Sequence, residues 1–458
     1  MKFNHIFSII IVIFFISCKK YVEIPPPDNQ LVSGLVFTDD KTATATVAGL
    51  YSRLNAFNSS FANFNGNFLP AFSADEFHYA FSSANLDEFK ENSLIPSNSS
   101  VNGLWEAPYS YIYHANSIIE GLSSGTSVSQ AVRTQLTGEA KFIRAFIYFY
   151  LVNHFGDVPL VLNTDYKVNT SLPRTSVAEV YASVINDLKD AQTSLSENYP
   201  SAERIRVNKA AATTMLARVY LYTSQWNNAE TEATKVINDP KYTLLTNLNS
   251  VFLKNSNEAI WQLQTVNTST AGVNTWEGFS IVPASPTATP LYKFYPNFSA
   301  SFEVGDKRRA DWIKTFTNTA GTVDYPFKYK VRTATPVVEY SMVLRFAELF
   351  LIRAEARAQQ NNINGAIDDL NKIRKRAGLL DLLYTLTKEQ VLLAVEKERK
   401  LELFSEWGHR WLDLKRTGRA LQVLSPIKTD LTANDLLYPI PLSAMLTNPN
   451  LVQNPGYF

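Results

Sequence analysis

The stretch 129–155 constrains the fold more than any other. Leu136, Ala140, Ile143, Ile147 and Leu151 fall on one face at helical spacing. The run stops at Phe155-Gly156-Asp157-Val158-Pro159, where glycine supplies the terminal turn and proline forbids continuation. A helix this long must bury its apolar stripe against other elements. Similar periodicity predicts helices over 42–57, 105–122, 177–195, 207–224, 227–238, 343–360, 364–376 and 388–417, so the expected fold class is mostly α. Two helix pairs approximate tetratricopeptide spacing: Leu216-Ala217, Tyr220, Ala229 and Pro240, then Leu351, Ala354, Ala366 and Leu370. Small alanines let two helices approach closely, and the larger residues fill the groove beside them. Because about a hundred residues separate the pairs, they read as scattered repeat units rather than a continuous solenoid.

The beginning of the chain predicts a compartment. After Lys2, residues 6–16 form an apolar run broken only by Ser8, and Ile16-Ser17-Cys18 follows. That run is shorter than the ~18–20 residues a spanning helix needs, and it suits a signal-peptide core. The expectation is a signal peptide over 1–17, cleavage before Cys18 and acylation of its thiol as a lipid anchor. Pro25-Pro26-Pro27 makes residues 18–30 a stiff spacer, and 31–458 reads as one domain. Cys18 is the sole cysteine, which excludes an intrachain disulfide and a cysteine zinc cluster. The five histidines form no close-spaced ligand pair, so neither a metal nor a cofactor is expected. With 43 basic and 42 acidic residues the chain lacks the positive footprint of a nucleic-acid binder.

Two intervals differ from the helical remainder. Residues 59–103 hold eight aromatics and only six charges; residues 265–340 hold thirteen aromatics and six of the 21 prolines. Neither shows helical periodicity, so both read as loop-rich binding regions. Enzyme signatures are absent: there is no nucleophile elbow, P-loop or dinucleotide fingerprint. Asp75-Glu76 and Asp87-Glu88 offer carboxylates, but adjacency in sequence does not give the separation across a sugar that glycosidase chemistry requires. Aromatic rings in such loops either fill core or stack on the C–H faces of sugars, with Asp, Asn and His bonding the hydroxyls. Trp276 and Trp312 read as stacking platforms and His78 as a polar contact, whereas Trp105, Trp407 and Trp411 fall in helices and read as core. The charged run 396–413, with Glu398, Glu402, Glu406 and Arg410 at four-residue steps, reads as surface helical ion pairing.

Five motifs in order resemble the SusD/RagB group, the surface nutrient-binding lipoproteins of Bacteroidetes. They are Cys18-Lys19-Lys20-Tyr21-Val22-Glu23 before the prolines; Glu139-Ala140-Lys141-Phe142-Ile143-Arg144 leading to Phe155-Gly156-Asp157-Val158-Pro159; Leu344-Arg345-Phe346-Ala347-Glu348 with Arg353-Ala354-Glu355; Glu398-Arg399-Lys400-Leu401-Glu402 with Arg410-Trp411-Leu412-Asp413; and the tail from Tyr438-Pro439-Ile440-Pro441 to Asn454-Pro455-Gly456-Tyr457. The resemblance implies a right-angled helical fold with four tetratricopeptide-like units, near 42–57, 105–155, 177–240 and 343–417. It also implies an irregular ligand-binding half and no catalysis. It implies a partner too, a SusC-like TonB-dependent outer-membrane barrel that receives a captured oligosaccharide. A peptide receptor on the same scaffold and a repeat-based periplasmic scaffold protein are the alternatives. Ligand residues do not transfer motif by motif. The positional candidates are Phe64, Asp75, Phe77, His78, Tyr79, Phe81, Trp276, Tyr292 and Trp312. Lys19-Lys20 departs from the acidic run that often follows the cysteine in surface-exported members, so surface exposure rests on the resemblance alone.

Overall fold

The computed structural model describes residues 36–56, 61–124, 127–266 and 273–457. The signal peptide, Cys18 and the proline spacer lie outside them. Helix α1 (Asp40–Leu54) opens at Asp39, whose carboxylate accepts from the Thr42 amide at 2.8 Å. A single π turn, Phe61–Asn65, leads into α2 (Gly66–Ser73), then β1 (Phe77–Tyr79) and α3 (Ala84–Glu91). The long pair α4 (Ser99–Ser124) and α5 (Gln130–Phe155) follows, then the short α6 (Tyr166–Asn169). Next come α7 (Val177–Ser194), α8 (Lys209–Tyr222) and α9 (Trp226–Ile237). The middle of the chain holds β2 (Ala259–Leu263), α10 (Trp276–Ile281), β3 (Tyr292–Phe294), α11 (Lys307–Trp312), β4 (Ile313–Asn318), β5 (Gly321–Pro326) and β6 (Ser341–Arg345). It closes with α12 (Phe346–Gln359), α13 (Ile363–Arg376), α14 (Lys388–Leu403), α15 (His409–Arg416), α16 (Ala420–Leu424) and α17 (Leu442–Thr447). The fold is mostly α, as the periodicity predicts. Among the described residues no helix is long and apolar enough to cross a membrane.

The helices form one stack. Helix α4 packs on α5, α5 on α7, α7 on α8, α8 on α9, α9 on α12, and α12 on both α13 and α14. The two repeat-like pairs are therefore not scattered: α9 and α12 are neighbours although over a hundred residues separate them in sequence. The intervening chain leaves the stack and returns through β6, which pairs antiparallel with β2. This pairing also corrects the helix predicted over 343–360. Its first residues belong to β6, all five of whose residues are buried, and an apolar run of that length reads alike as buried strand or helix.

The helix predicted over 388–417 breaks between Leu403 and His409. Ser405, Trp407 and Gly408 take φ of 58°, 47° and 63°. A Cβ on Gly408 would stand 2.5 Å from the Pro70 ring, so α2 approaches too closely for any other residue. The Trp407 amide donates to Asn67 Oδ1 at 2.6 Å and its indole to the Met342 carbonyl at 2.8 Å. Tertiary hydrogen bonds thus outweigh a strong local helical pattern.

Many of the charged motif residues are buried and paired over long sequence distances. Arg144 makes two bonds of 2.7 Å to Asp187, and Arg206 grips Glu139 at 2.6 and 3.0 Å. Arg218 holds Glu348 at 2.6 and 2.7 Å. Arg416 chelates Glu355 at 2.5 and 2.7 Å. Arg345 joins Glu402 at 2.6 Å to Glu406 at 2.7 Å, Arg376 joins Glu402 to Glu258, and Arg308 joins Asp306 to Glu398. Glu398, Glu402 and Glu406 are thus clamps facing the core and do not form the surface ladder that their spacing suggested. Charges taken out of water this completely are tolerated only when paired, and forked bidentate geometry makes arginine the suitable partner.

Candidate functional site

Strand β1 pairs antiparallel with β3, setting Phe77 opposite Phe294, His78 opposite Lys293 and Tyr79 opposite Tyr292. Strand alternation sends Phe77 and Tyr79 to one face and His78 to the other. On the first face Phe77 is fully buried, with its ring centroid 5.5 Å from Phe68, 5.6 Å from Phe72 and 6.3 Å from Tyr292. Tyr292 itself is 5 % exposed, and burial holds its hydroxyl above the usual range. From this base a ladder climbs outward: Tyr79 lies 5.6 Å from Tyr292, and Phe81 lies 5.7 Å from Tyr79. Phe64 joins from the π turn, 6.2 Å from Tyr292. Phe64 and Tyr79 are half-buried, and Phe81 is 48 % exposed.

A second aromatic pair sits on α10. Thr275 caps that helix by accepting from the Gly278 amide. Trp276 stacks on Phe279, with centroids 5.2 Å apart and planes 28° from parallel. Both are half-buried. The Arg332 guanidinium lies 4.2 Å from the Phe279 ring centroid, and its Nη1 donates to the carbonyls of Phe279 and Val282. The arginine therefore holds the loop beneath the stack rather than standing free. The inner face of α10 is anchored by Glu277, which accepts from Asn67 at 3.0 Å and from Ser341 at 2.8 Å. Desolvation pushes the Glu277 carboxyl up to about 7. Helix α10 also contacts the π turn that carries Phe64, so one short element links the two aromatic groups.

The nine candidates thus divide. Phe64, Tyr79, Phe81 and Trp276 keep ring surface at or near solvent. Phe77 and Tyr292 are the buried base of the ladder and have no face to offer a ligand. Trp312, read as a platform, is a core residue at 0 % exposure; its indole donates to the Leu248 carbonyl at 3.1 Å, and its ring lies beside Phe252 and Phe404. Asp75 is occupied: Arg410 bonds it at 2.7 and 3.1 Å and Lys400 at 2.8 Å. Those cations hold its carboxyl well below the usual range despite burial. His78 points away from the ladder, with its Nδ1 2.7 Å from the Tyr79 carbonyl oxygen and its ring 5.0 Å from that of Tyr295. Desolvation lowers its pKa.

Residues 59–103 are also less irregular than their composition suggested, since the π turn, α2 and α3 fall within them. Eight consecutive residues of α2 are buried, so there is no amphipathic stripe for a periodicity reading to find. Sequence reasoning missed Phe279, although Trp276 and Phe279 stand at the i, i+3 spacing that brings side chains together on a helix. Arg332 carries no comparable signal. Among the described residues no group of histidines, cysteines and carboxylates is arranged to hold a metal ion.

Comparison with known proteins gives these observations a family. A family profile described as "Starch-binding associating with outer membrane" matches residues 37–221, and one described as "SusD family" matches residues 313–457. The chain belongs to the SusD family. SusD-like protein P25 of Formosa agariphila is 26 % identical, with all of both chains covered. The starch-binding protein SusD of Bacteroides thetaiotaomicron is 25 % identical over 74 % of each chain. Among solved structures, a SusD superfamily protein from Bacteroides vulgatus superposes with a TM-score of 0.82 at 22 % identity, covering 92 % of this chain and 100 % of that one. A laminarin-binding SusD-like protein gives 0.80 at 23 % identity with the same coverage.

Proposed function

We propose that this protein is a non-catalytic outer-membrane lipoprotein, anchored through Cys18, that captures an oligosaccharide and delivers it to a SusC-like TonB-dependent barrel. The observation that carries the reading is the two groups of partly exposed rings linked through the π turn: Phe64, Tyr79 and Phe81 in one, Trp276 stacked on Phe279 in the other. Rings set into a folded support and open at one face suit the apolar faces of sugar rings, and stacking needs no net charge on the protein. Laminarin binding by one structural neighbour and starch binding by one sequence relative support a glycan ligand. The family description supports the outer membrane as the compartment.

The test is calorimetric titration of the full chain with a panel of plant, fungal and host oligosaccharides and a set of mixed peptides. One glycan class should bind, and Trp276→Ala should weaken that binding at least tenfold without changing the unfolding midpoint. Full affinity in the Trp276→Ala and Phe81→Ala variants, or heat from the peptides alone, overturns the assignment.

A further inference from the structure

A cavity of about 510 Å³ opens in the helical stack, between α8, α12, α14 and α15 and the start of α9. None of the nine sequence candidates lines it. Its size falls within the range of small-molecule sites, roughly 300–1,000 Å³. The walls are largely apolar, with Leu221, Trp226, Leu392 and Val395, and Leu393 stands at the rim 50 % exposed.

The polar lining is unequally paired. Glu355 takes two bonds from Arg416, Asp413 takes one each from Arg399 Nε and Arg416 Nε, and Glu396 takes bonds from Arg410 and Arg419. Arg399 is 2 % exposed, and its Nη1 and Nη2 have no hydrogen-bond partner in the protein. The Tyr222 hydroxyl, on the same cavity, also has none. The buried and half-buried carboxylates of the wall are therefore engaged, the fourth, Glu389, stands exposed at the capped start of α14, and the buried unengaged groups are donors: a guanidinium fork and a phenol. Leaving charged donors buried and unpaired is unfavourable, and a guanidinium fork is matched in shape by a carboxylate. All three donor atoms are covered, so an acid reaches them by displacing side chains of the wall.

From this geometry we infer a second binding site, independent of the glycan reading, that takes a carboxylate carried on an apolar group. The carboxylate pairs with Arg399 and Tyr222, and the apolar group lies against Trp226, Leu392 and Leu393. Two sources share this chemistry: a free organic acid, and the C-terminus of a peptide chain ending in an apolar residue.

Calorimetric titration of the full chain with N-acetyl-leucine, N-acetyl-leucinamide, and a pentapeptide ending in leucine as free acid or amide tests it. At least one acid should bind, with its amide at least tenfold weaker. Tighter binding of the peptide acid assigns the site to a chain terminus, and tighter binding of N-acetyl-leucine to a small acid. Arg399→Lys, which keeps the charge but removes the fork, should weaken acid binding at least tenfold. Leu393→Glu, on the exposed rim, should do the same by repulsion and decides the matter if the arginine variant does not fold. No binding by either acid, equal affinity for acid and amide, or undiminished acid binding in a folded variant overturns the inference.

Discussion

The helical stack and the aromatic middle of the chain bury apolar surface by different means. In α4, α7 and α9 a stripe along one face meets the neighbouring helix, while α5 and α8 are buried nearly all round over their central turns, where α5 adds a row of rings at Phe142, Phe146 and Tyr150. In residues 61–103 and 273–345 short elements hold large rings in clusters, such as Phe68, Phe72, Phe77 and Tyr292. The two regions are joined by buried ion pairs that reach across, such as Asp75 with Arg410, and Arg308 and Arg345 with Glu398, Glu402 and Glu406. The contrast teaches that a high density of aromatics does not by itself mark a binding surface. Here most rings are the local substitute for a helical stripe, and only those at an outer end or rim, Phe81 and Trp276 among them, remain for a ligand.

Three experiments act on this contrast, from the largest effect to the smallest. Arg345→Ala takes from Glu402 and Glu406 the cation they share at the junction, leaving Arg376 on the first and Lys328 on the second, and removing one partner of a buried ion pair destabilises by about 3–5 kcal/mol. Denaturant unfolding should show that loss; a change below about 1 kcal/mol would mean that the two regions do not depend on their shared charges. Trp312→Ala should cost about 3–5 kcal/mol through the cavity it leaves. Glycan affinity in the folded fraction should be retained. Lost binding with unchanged stability would return Trp312 to the surface and break the contrast.

The third experiment concerns pH. Burial and the adjacent Asp75 charge push the Glu76 carboxyl up to about 8, against an ordinary value of 4.5. A carboxyl raised on folding favours the fold fully below its unfolded pKa, and that contribution is lost as pH rises through the folded value. Stability should therefore decline between about pH 4.5 and 8 through this group, with Glu277 and Glu339, both held up at about 7, adding to the decline. Glu76→Gln should flatten part of it, read as a smaller difference in unfolding midpoint between pH 5 and pH 8.5. An unchanged difference would show that Glu76 does not titrate in this window. Asp75 has the opposite sign: its pKa is depressed, and its contribution is lost only as pH falls below the ordinary carboxylate range.

Much of the stack was legible because its signals are local. Ser176 and Glu179 form a capping box at the predicted start of α7, and Gly156 ends α5 at φ 73° where the sequence placed the stop. The three tryptophans read as core are buried, at 6 %, 1 % and 0 % exposure for Trp105, Trp407 and Trp411, although Trp407 lies in the break before α15 and not in a helix. The candidate site was less legible. Phe64, Tyr79, Phe81 and Trp276 were singled out together with Phe77, Tyr292 and Trp312, because an aromatic side chain has the same composition whether it is buried or open.

The sequence by itself determined the mostly helical class, the placement of most helices and the five motifs that mark the family, since caps, stops and periodicity act within a few residues. Tertiary structure decided the rest. It joined α9 to α12, broke the helix before His409, turned the spaced glutamates of α14 inward onto distant arginines, and chose which rings face solvent. Each of these outcomes depends on partners tens to hundreds of residues away. Only packing sets the strand face, the depth and the opposing charge that fix what a side chain does.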